Sequence, residues 1–138
     1  MKIFICASKH IYDKIPPIRS QLERMGHEIT LPNSYDDPLK EERIKKVSKK
    51  DHAEWKASMI SLQEKKVEEN DAVLIVNFEK NGQANYIGGA TFLEMYIAFR
   101  LNKPVYMMNP FPENILKDEI AAFSPVVLNG DLSKIRQV

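Results

Sequence analysis

The sequence predicts an α/β protein, a three-layer sandwich around a parallel five-stranded sheet. Two observations carry that prediction: short apolar runs alternate along the 138 residues with stretches of helical periodicity, and the strongest runs are apolar throughout, as strands buried on both faces require. Residues 2–7 (KIFICA) are the first such run and read as a buried central strand. A helix over 12–25 follows, with Ile15, Ile18, Leu22 and Met25 at helical spacing, Pro16-Pro17 in its first turn and Gly26 as its stop. Residues 27–31 (HEITL) read as the second strand, closed by Pro32-Asn33.

Turn-rich residues 34–38 lead into a long charged helical stretch over 39–69, with sparse apolar positions and a point of interruption at Ser48 to Asp51. The strongest strand signal is 72–78 (AVLIVNF). Residues 79–87 form a polar loop with Asn81-Gly82, and Gly88-Gly89 opens an apolar helix. Residues 103–108 (KPVYMM) make the next strand, with Pro104 acceptable at its beginning. A loop over 109–112 precedes a short helix over 114–122; 126–128 is a last short strand, and Asp131 caps a small terminal helix. Right-handed crossovers between these strands give a flavodoxin-like, Rossmann-like order 2-1-3-4-5, in one domain over 1–138.

Composition excludes several classes of function. A net charge of +1 offers no electrostatic case for nucleic acid or an anionic membrane. No apolar run is long enough to cross a bilayer, and the first residues lack the apolar region and cleavage site of a signal peptide. A cytoplasmic location is therefore expected. The single cysteine, Cys6, excludes an internal disulfide, and in a buried strand it reads as an inert thiol. The interleaved charges Lys40-Glu41-Glu42-Arg43 and residues 64–69 read as solvated helix faces. Three scattered histidines and one cysteine give no metal-ligand spacing, so no metal site is expected.

One residue breaks the pattern. Between Lys80 and Arg100 the only charged side chain is Glu94, set in Gly88-Gly89-Ala90-Thr91-Phe92-Leu93-Glu94-Met95-Tyr96-Ile97-Ala98-Phe99. Its neighbours one turn away, Ala90, Thr91, Ile97 and Ala98, include no cation and form no solvated stripe. A carboxylate is rarely buried without a partner or a task, so Glu94 is expected to face a cavity; a structural carboxylate satisfied by local donors is the competing reading. In an open parallel sheet the cavity lies beyond the carboxyl ends of the strands, where the winding reverses. Here that point gathers Ser8, Lys9 and His10 after the first strand, Asn77 and Glu79 after the third, the Gly88-Gly89 helix entry, and Asn109 after the fourth. Tyr86, just before the glycines, is a candidate to border a ligand ring. His27 and His52 are expected at the surface, Trp55 as a core or interface anchor, and Phe92 and Phe99 in the core. The glycine pair matches neither a P-loop nor the G-x-G-x-x-G fingerprint.

The run Asp71-Ala72-Val73-Leu74-Ile75-Val76, then Gly88 to Glu94, then Ala98 and Asn102-Lys103-Pro104-Val105, resembles the nucleoside 2-deoxyribosyltransferase superfamily, which includes deoxynucleoside-monophosphate N-glycosidases. The opening Ile3-Phe4-Ile5-Cys6-Ala7-Ser8 is similar to that family's first strand and ribose-side loop. The resemblance covers residues 71–108 in motif and the remainder in element order. It implies that Glu94 is a nucleophile, attacking the anomeric carbon and expelling the base, with the glycosyl-enzyme resolved by water or by another base. It further implies ribose or phosphate contacts from Ser8, Lys9 and His10, and backbone contacts from Gly88 and Gly89.

The chain departs from the family pattern at three positions: the helper aspartate falls on Gly88, the glycine after the glutamate is Tyr96, and where an acid often follows the third strand Asn77 stands closer to the strand end than Glu79. The acid for the leaving base then falls to Glu79, to a neighbouring subunit, or is missing and the chemistry reduced. The implied function is a nucleoside or nucleotide N-glycosidase or 2-deoxyribosyltransferase-like enzyme that needs no cofactor and forms a homo-oligomer. A non-catalytic nucleotide-binding or sensor protein on the same fold is the alternative, and a docking module using the 39–69 helix a third.

Overall fold

The structure, a computed structural model, describes residues 1–136. Its five strands are β1 (Lys2–Cys6), β2 (Glu28–Thr30), β3 (Ala72–Ile75), β4 (Val105–Met107) and β5 (Val126–Val127). They form one sheet in the order β2-β1-β3-β4-β5, and every pairing is parallel. This is the expected architecture and the expected order.

The central strands are apolar throughout because both faces are covered. Ile3, Ile5, Ala72, Leu74, Val76 and Tyr106 point to one side, where α1 (Ile15–Arg24) buries Ile15, Ile18 and Leu22. Phe4, Cys6, Val73, Ile75, Val105 and Met107 point to the other. There they meet Val67 of α3 (Lys49–Glu69), Met95 and Ala98 of α4 (Gly89–Arg100), and Ile120 of α5 (Lys117–Ala122). The two-residue alternation of a strand thus sorts β1 between two cores and puts Cys6 on the α4 side.

Two helices differ from the sequence expectation, each for a backbone reason. The stretch expected as one helix over 12–25 begins as a 3-10 turn, Lys9–Lys14, and becomes α-helical only at Ile15. Pro16 and Pro17 have no N–H to offer the carbonyls of Tyr12 and Asp13, so α-helical bonding cannot extend backwards across them. The charged stretch over 39–69 divides into α2 (Lys40–Lys45) and α3. Ser48 is extended there (φ −166°, ψ 160°), and its Oγ accepts the Asp51 N–H at 3.0 Å as the N-cap of α3. The break lies at the start of the expected interruption. Among the described residues no helix is long and apolar enough to cross a membrane.

Candidate functional site

β1 and β3 lie side by side at the centre of the sheet, while their following segments turn to opposite faces, so a crevice opens beyond their carboxyl ends. A cavity of about 640 Å³ occupies it, within the size range of small-molecule sites. Of the residues singled out in the sequence, Ser8, Lys9, His10, Tyr86, Gly88, Gly89 and Glu94 line this cavity. Glu79, Asn77 and Asn109 do not.

Glu94 is only 4% exposed, on the face of α4 that carries Met95 and Ala98 into the core. Burial pushes its carboxyl up to about 7, against the opposing influence of the Gln63 amide, the Cys6 thiol and the charge of Lys66. Gln63 is itself buried on α3, and its amide donates to the Ala90 carbonyl at 3.0 Å, tying α3 to the first turn of α4. Lys66 donates to the Leu31 carbonyl at 2.8 Å and lies 5.6 Å from the Phe4 ring centre. Burial lowers its pKa, and Glu94 counters that effect. Burial and the neighbouring Glu94 both push the Cys6 thiol up, which keeps it protonated and unreactive. Tyr12, also in the cavity wall, is raised by burial and by the charge of Glu94.

The helix entry is built by glycine and by a tight hairpin. Lys80 and Gln83 form an antiparallel bridge around Asn81 and Gly82, both at positive φ (49° and 81°), so the Asn-Gly pair supplies the turn it signals. This hairpin brings Lys80 over the Tyr86 ring, 4.5 Å from its centre. Gly88 is the N-cap of α4, and a Cβ there would stand 3.4 Å from the Tyr86 ring and hydroxyl. Glycine therefore leaves Tyr86 room to lie across the entry. Ser8 caps the 3-10 turn, accepting the His10 N–H at 3.4 Å. His10 is exposed, and desolvation together with the charges of Lys80 and Lys9 lowers its pKa.

Asn77 and Asn109 do a different job. Asn77 is fully buried; its amide donates to the carbonyls of Asn109 (3.0 Å) and Pro110 (3.1 Å), and its Oδ1 accepts the Asn109 N–H at 3.0 Å. The Asn109 amide returns a bond to the Asn77 carbonyl at 3.0 Å. Together they zip the ends of β3 and β4 where sheet pairing stops. Glu79 is exposed on the loop between β3 and the hairpin.

The far wall comes from segments the sequence reading had assigned to solvent or core. Glu41 of α2, expected on a solvated face, turns inward with only 15% of its side chain exposed. Its Oε2 meets His52 Nε2 at 2.8 Å and Lys56 Nζ at 3.1 Å, and its Oε1 meets Lys9 Nζ at 3.4 Å; Lys9 also pairs with Glu42. Burial alone would raise this carboxyl, yet His52, Lys56 and Lys9 hold it down to about 2. His52, expected at the surface, is thus half-buried against Glu41, and His27 is buried against the chain's amino group, 3.0 Å from Met1 N. Trp55 is a cavity wall residue rather than a core anchor, and Phe99 is 47% exposed rather than core. Neither the Glu41 cluster nor Asn33 and Ser34 after β2 carries a local signal; only the packing of α2 and α3 over the crevice collects them.

The cavity therefore holds two carboxylates in opposite electrostatic states, Glu41 ionised well into acid and Glu94 balanced near neutrality. The described residues contain no cluster of side chains suited to a metal ion. No protein-family model matches the chain, nor does a curated protein or a solved structure.

Proposed function

We propose that this chain is a nucleoside or nucleotide N-glycosidase, or a 2-deoxyribosyltransferase-like enzyme, in which Glu94 is the nucleophile. The observation that supports this most is the placement of Glu94: a carboxylate 4% exposed, facing a cavity at the reversal of the sheet, and in none of the ion pairs among the described residues. The residues that suggest the family, Ser8 and the Gly88-to-Glu94 run, stand around the same cavity.

In this reading an ionised Glu94 oxygen forms a bond to the anomeric carbon as the bond from that carbon to the base nitrogen breaks. The electron pair leaves with the base, which takes up a proton from solvent. Water, or a second base, then attacks the anomeric carbon, loses a proton to solvent as its bond to that carbon forms, and releases Glu94 as a carboxylate. With its pKa at about 7, Glu94 is anionic in a large fraction of molecules at neutral pH, and a sugar hydroxyl donating to it would increase that fraction. Ser8, Lys9 and His10 would hold the sugar or its 5′-substituent, Gly88 and Gly89 would offer backbone N–H groups, and Tyr86 would border the ring. The reaction as written calls on no cofactor. A homo-oligomer belongs to the same reading.

A non-catalytic nucleotide-binding protein is the second reading, and one observation favours it. Glu79, the residue expected to protonate the departing base, lies away from the cavity, and Glu41 is held ionised. The test is release of free base from a panel of nucleosides and 5′-monophosphates, comparing wild type with Glu94→Ala. Release that disappears in Glu94→Ala supports the glycosidase and names the substrate. Tight binding without release by the wild type supports the second reading.

A further inference from the structure

The segment between Tyr35 and Ser48 is fixed at its two ends and held by charge in between. Tyr35 packs on the core, its ring 5.5 Å from that of Tyr12, and Ser48 is the N-cap of α3. Residues 36–47 contain no buried residue, and their apolar side chains Leu39 and Val47 are exposed. α2, in the middle of this segment, turns no apolar stripe to the core. Outside α2 the backbone hydrogen bonds stay short-range, as from the Asp37 N–H to the Ser34 carbonyl and from the Val47 N–H to the Ile44 carbonyl. Arg43 pairs with Asp37 inside the segment. What α2 presents inward is the Glu41 carboxylate, which with Pro38 lines the cavity. Glu41 meets Lys9 after β1 at 3.4 Å, and His52 and Lys56 on α3 at 2.8 and 3.1 Å; Glu42 also pairs with Lys9. Among the described residues, every side-chain hydrogen bond and ion pair from 36–47 to the rest of the chain runs through Glu41 or Glu42.

We infer that residues 36–47 form a flap that closes one side of the cavity, hinged at Tyr35 and Ser48 and latched by Glu41. A segment with few buried apolar contacts and only short-range backbone bonds opens at lower cost than the sheet beneath it. Partly exposed charge pairs, unlike apolar packing, give way to salt and to the loss of one charge. Shut, the flap completes the far wall and keeps His52 and Lys56 beside the Trp55 ring, 6.5 and 5.8 Å from its centre. Open, it releases Lys9, His52 and Lys56 together and admits solutes to Trp55. Such a flap serves a glycosidase and a binding protein alike, so it stands apart from the choice between those two readings.

Trypsin and acrylamide both read the flap in the full chain. Lys40, Arg43, Lys45 and Lys46 are trypsin sites within it, and Trp55 is the one tryptophan of the sequence. Under native conditions the wild type should be cut first within 36–47, leaving a nicked but otherwise intact protein. Glu41→Gln should be nicked roughly tenfold faster, and acrylamide should quench its Trp55 fluorescence more strongly. Asn77→Ala weakens the whole fold at the ends of β3 and β4 and leaves the latch alone, so its nicking and quenching should match wild type. If Glu41→Gln does not fold, wild type in rising sodium chloride takes its place: screening weakens the same pairs, and Trp55 quenching should rise with salt. Digestion of the whole chain with no nicked intermediate would overturn the inference. So would nicking that Asn77→Ala accelerates as much as Glu41→Gln does, since the segment would then open only with the entire fold. Trp55 quenching indifferent both to Glu41→Gln and to salt would overturn it as well, because α2 would then cover nothing.

Discussion

Replacing Glu94 by Gln keeps the size of a side chain that is 4% exposed and removes its charge. The folded protein binds this proton more tightly than the unfolded chain does, because burial moves the carboxyl from its ordinary 4.5 up to about 7. The sign follows from linkage: the stability associated with this group is complete below about pH 4.5 and is lost as the pH rises towards about 7. At about 1.4 kcal/mol per pH unit, the gap between those two values corresponds to ~3 kcal/mol. Wild type and Glu94→Gln should therefore be nearly equal in stability at about pH 4.5. Near pH 8.5 the Gln variant should be the more stable by ~3 kcal/mol, or roughly 10 °C in midpoint for a chain of 138 residues. Urea denaturation of both proteins across that range measures the difference directly, and titrations common to both, such as those of His10 and His27, cancel. A difference that stays constant with pH would mean that Glu94 is not desolvated, and the argument for a poised carboxylate would fail with it.

The other predictions concern the two supports of the cavity. Glu41→Gln should lose about 1–2 kcal/mol at neutral pH, an amount discounted for partial exposure of its partners. The loss should shrink as the pH of a urea-melt series falls from about 4.5 towards 2, where wild-type Glu41 itself becomes protonated. Asn77→Ala should cost about 2–3 kcal/mol in the same assay by leaving the Asn109 N–H unpaired. Ligand affinity should be unchanged in that variant, since neither asparagine lines the cavity; a selective loss of binding with stability intact would instead make Asn77 a ligand contact.

By itself the sequence determined what depends on local pattern. Continuous apolar runs such as residues 2–7 and 72–78 have to be covered on both faces, and helical stretches between them leave a parallel sheet with right-handed crossovers as the economical arrangement. Asn81-Gly82 announces its turn because few residues accept positive φ. Glu94 was legible for the same kind of reason: a charge alone in an apolar helix has no solvated neighbours, whatever the helix packs against. Tertiary structure decided the matters that depend on which surfaces meet. Glu41 sits among alternating charges indistinguishable from a solvated face, and only the fold of α2 over α3 buries it beside Lys9, His52 and Lys56. Asn77 and Asn109 read as rim residues, but the register of β3 against β4 sets each amide opposite the other's backbone, and hydrogen bonding takes both. Asn33 and Trp55 lie in different elements and become one wall only when the loop after β2 packs on α3. Periodicity records whether a residue is buried; only packing determines what it is buried against, and the chemistry of the cavity follows from the second.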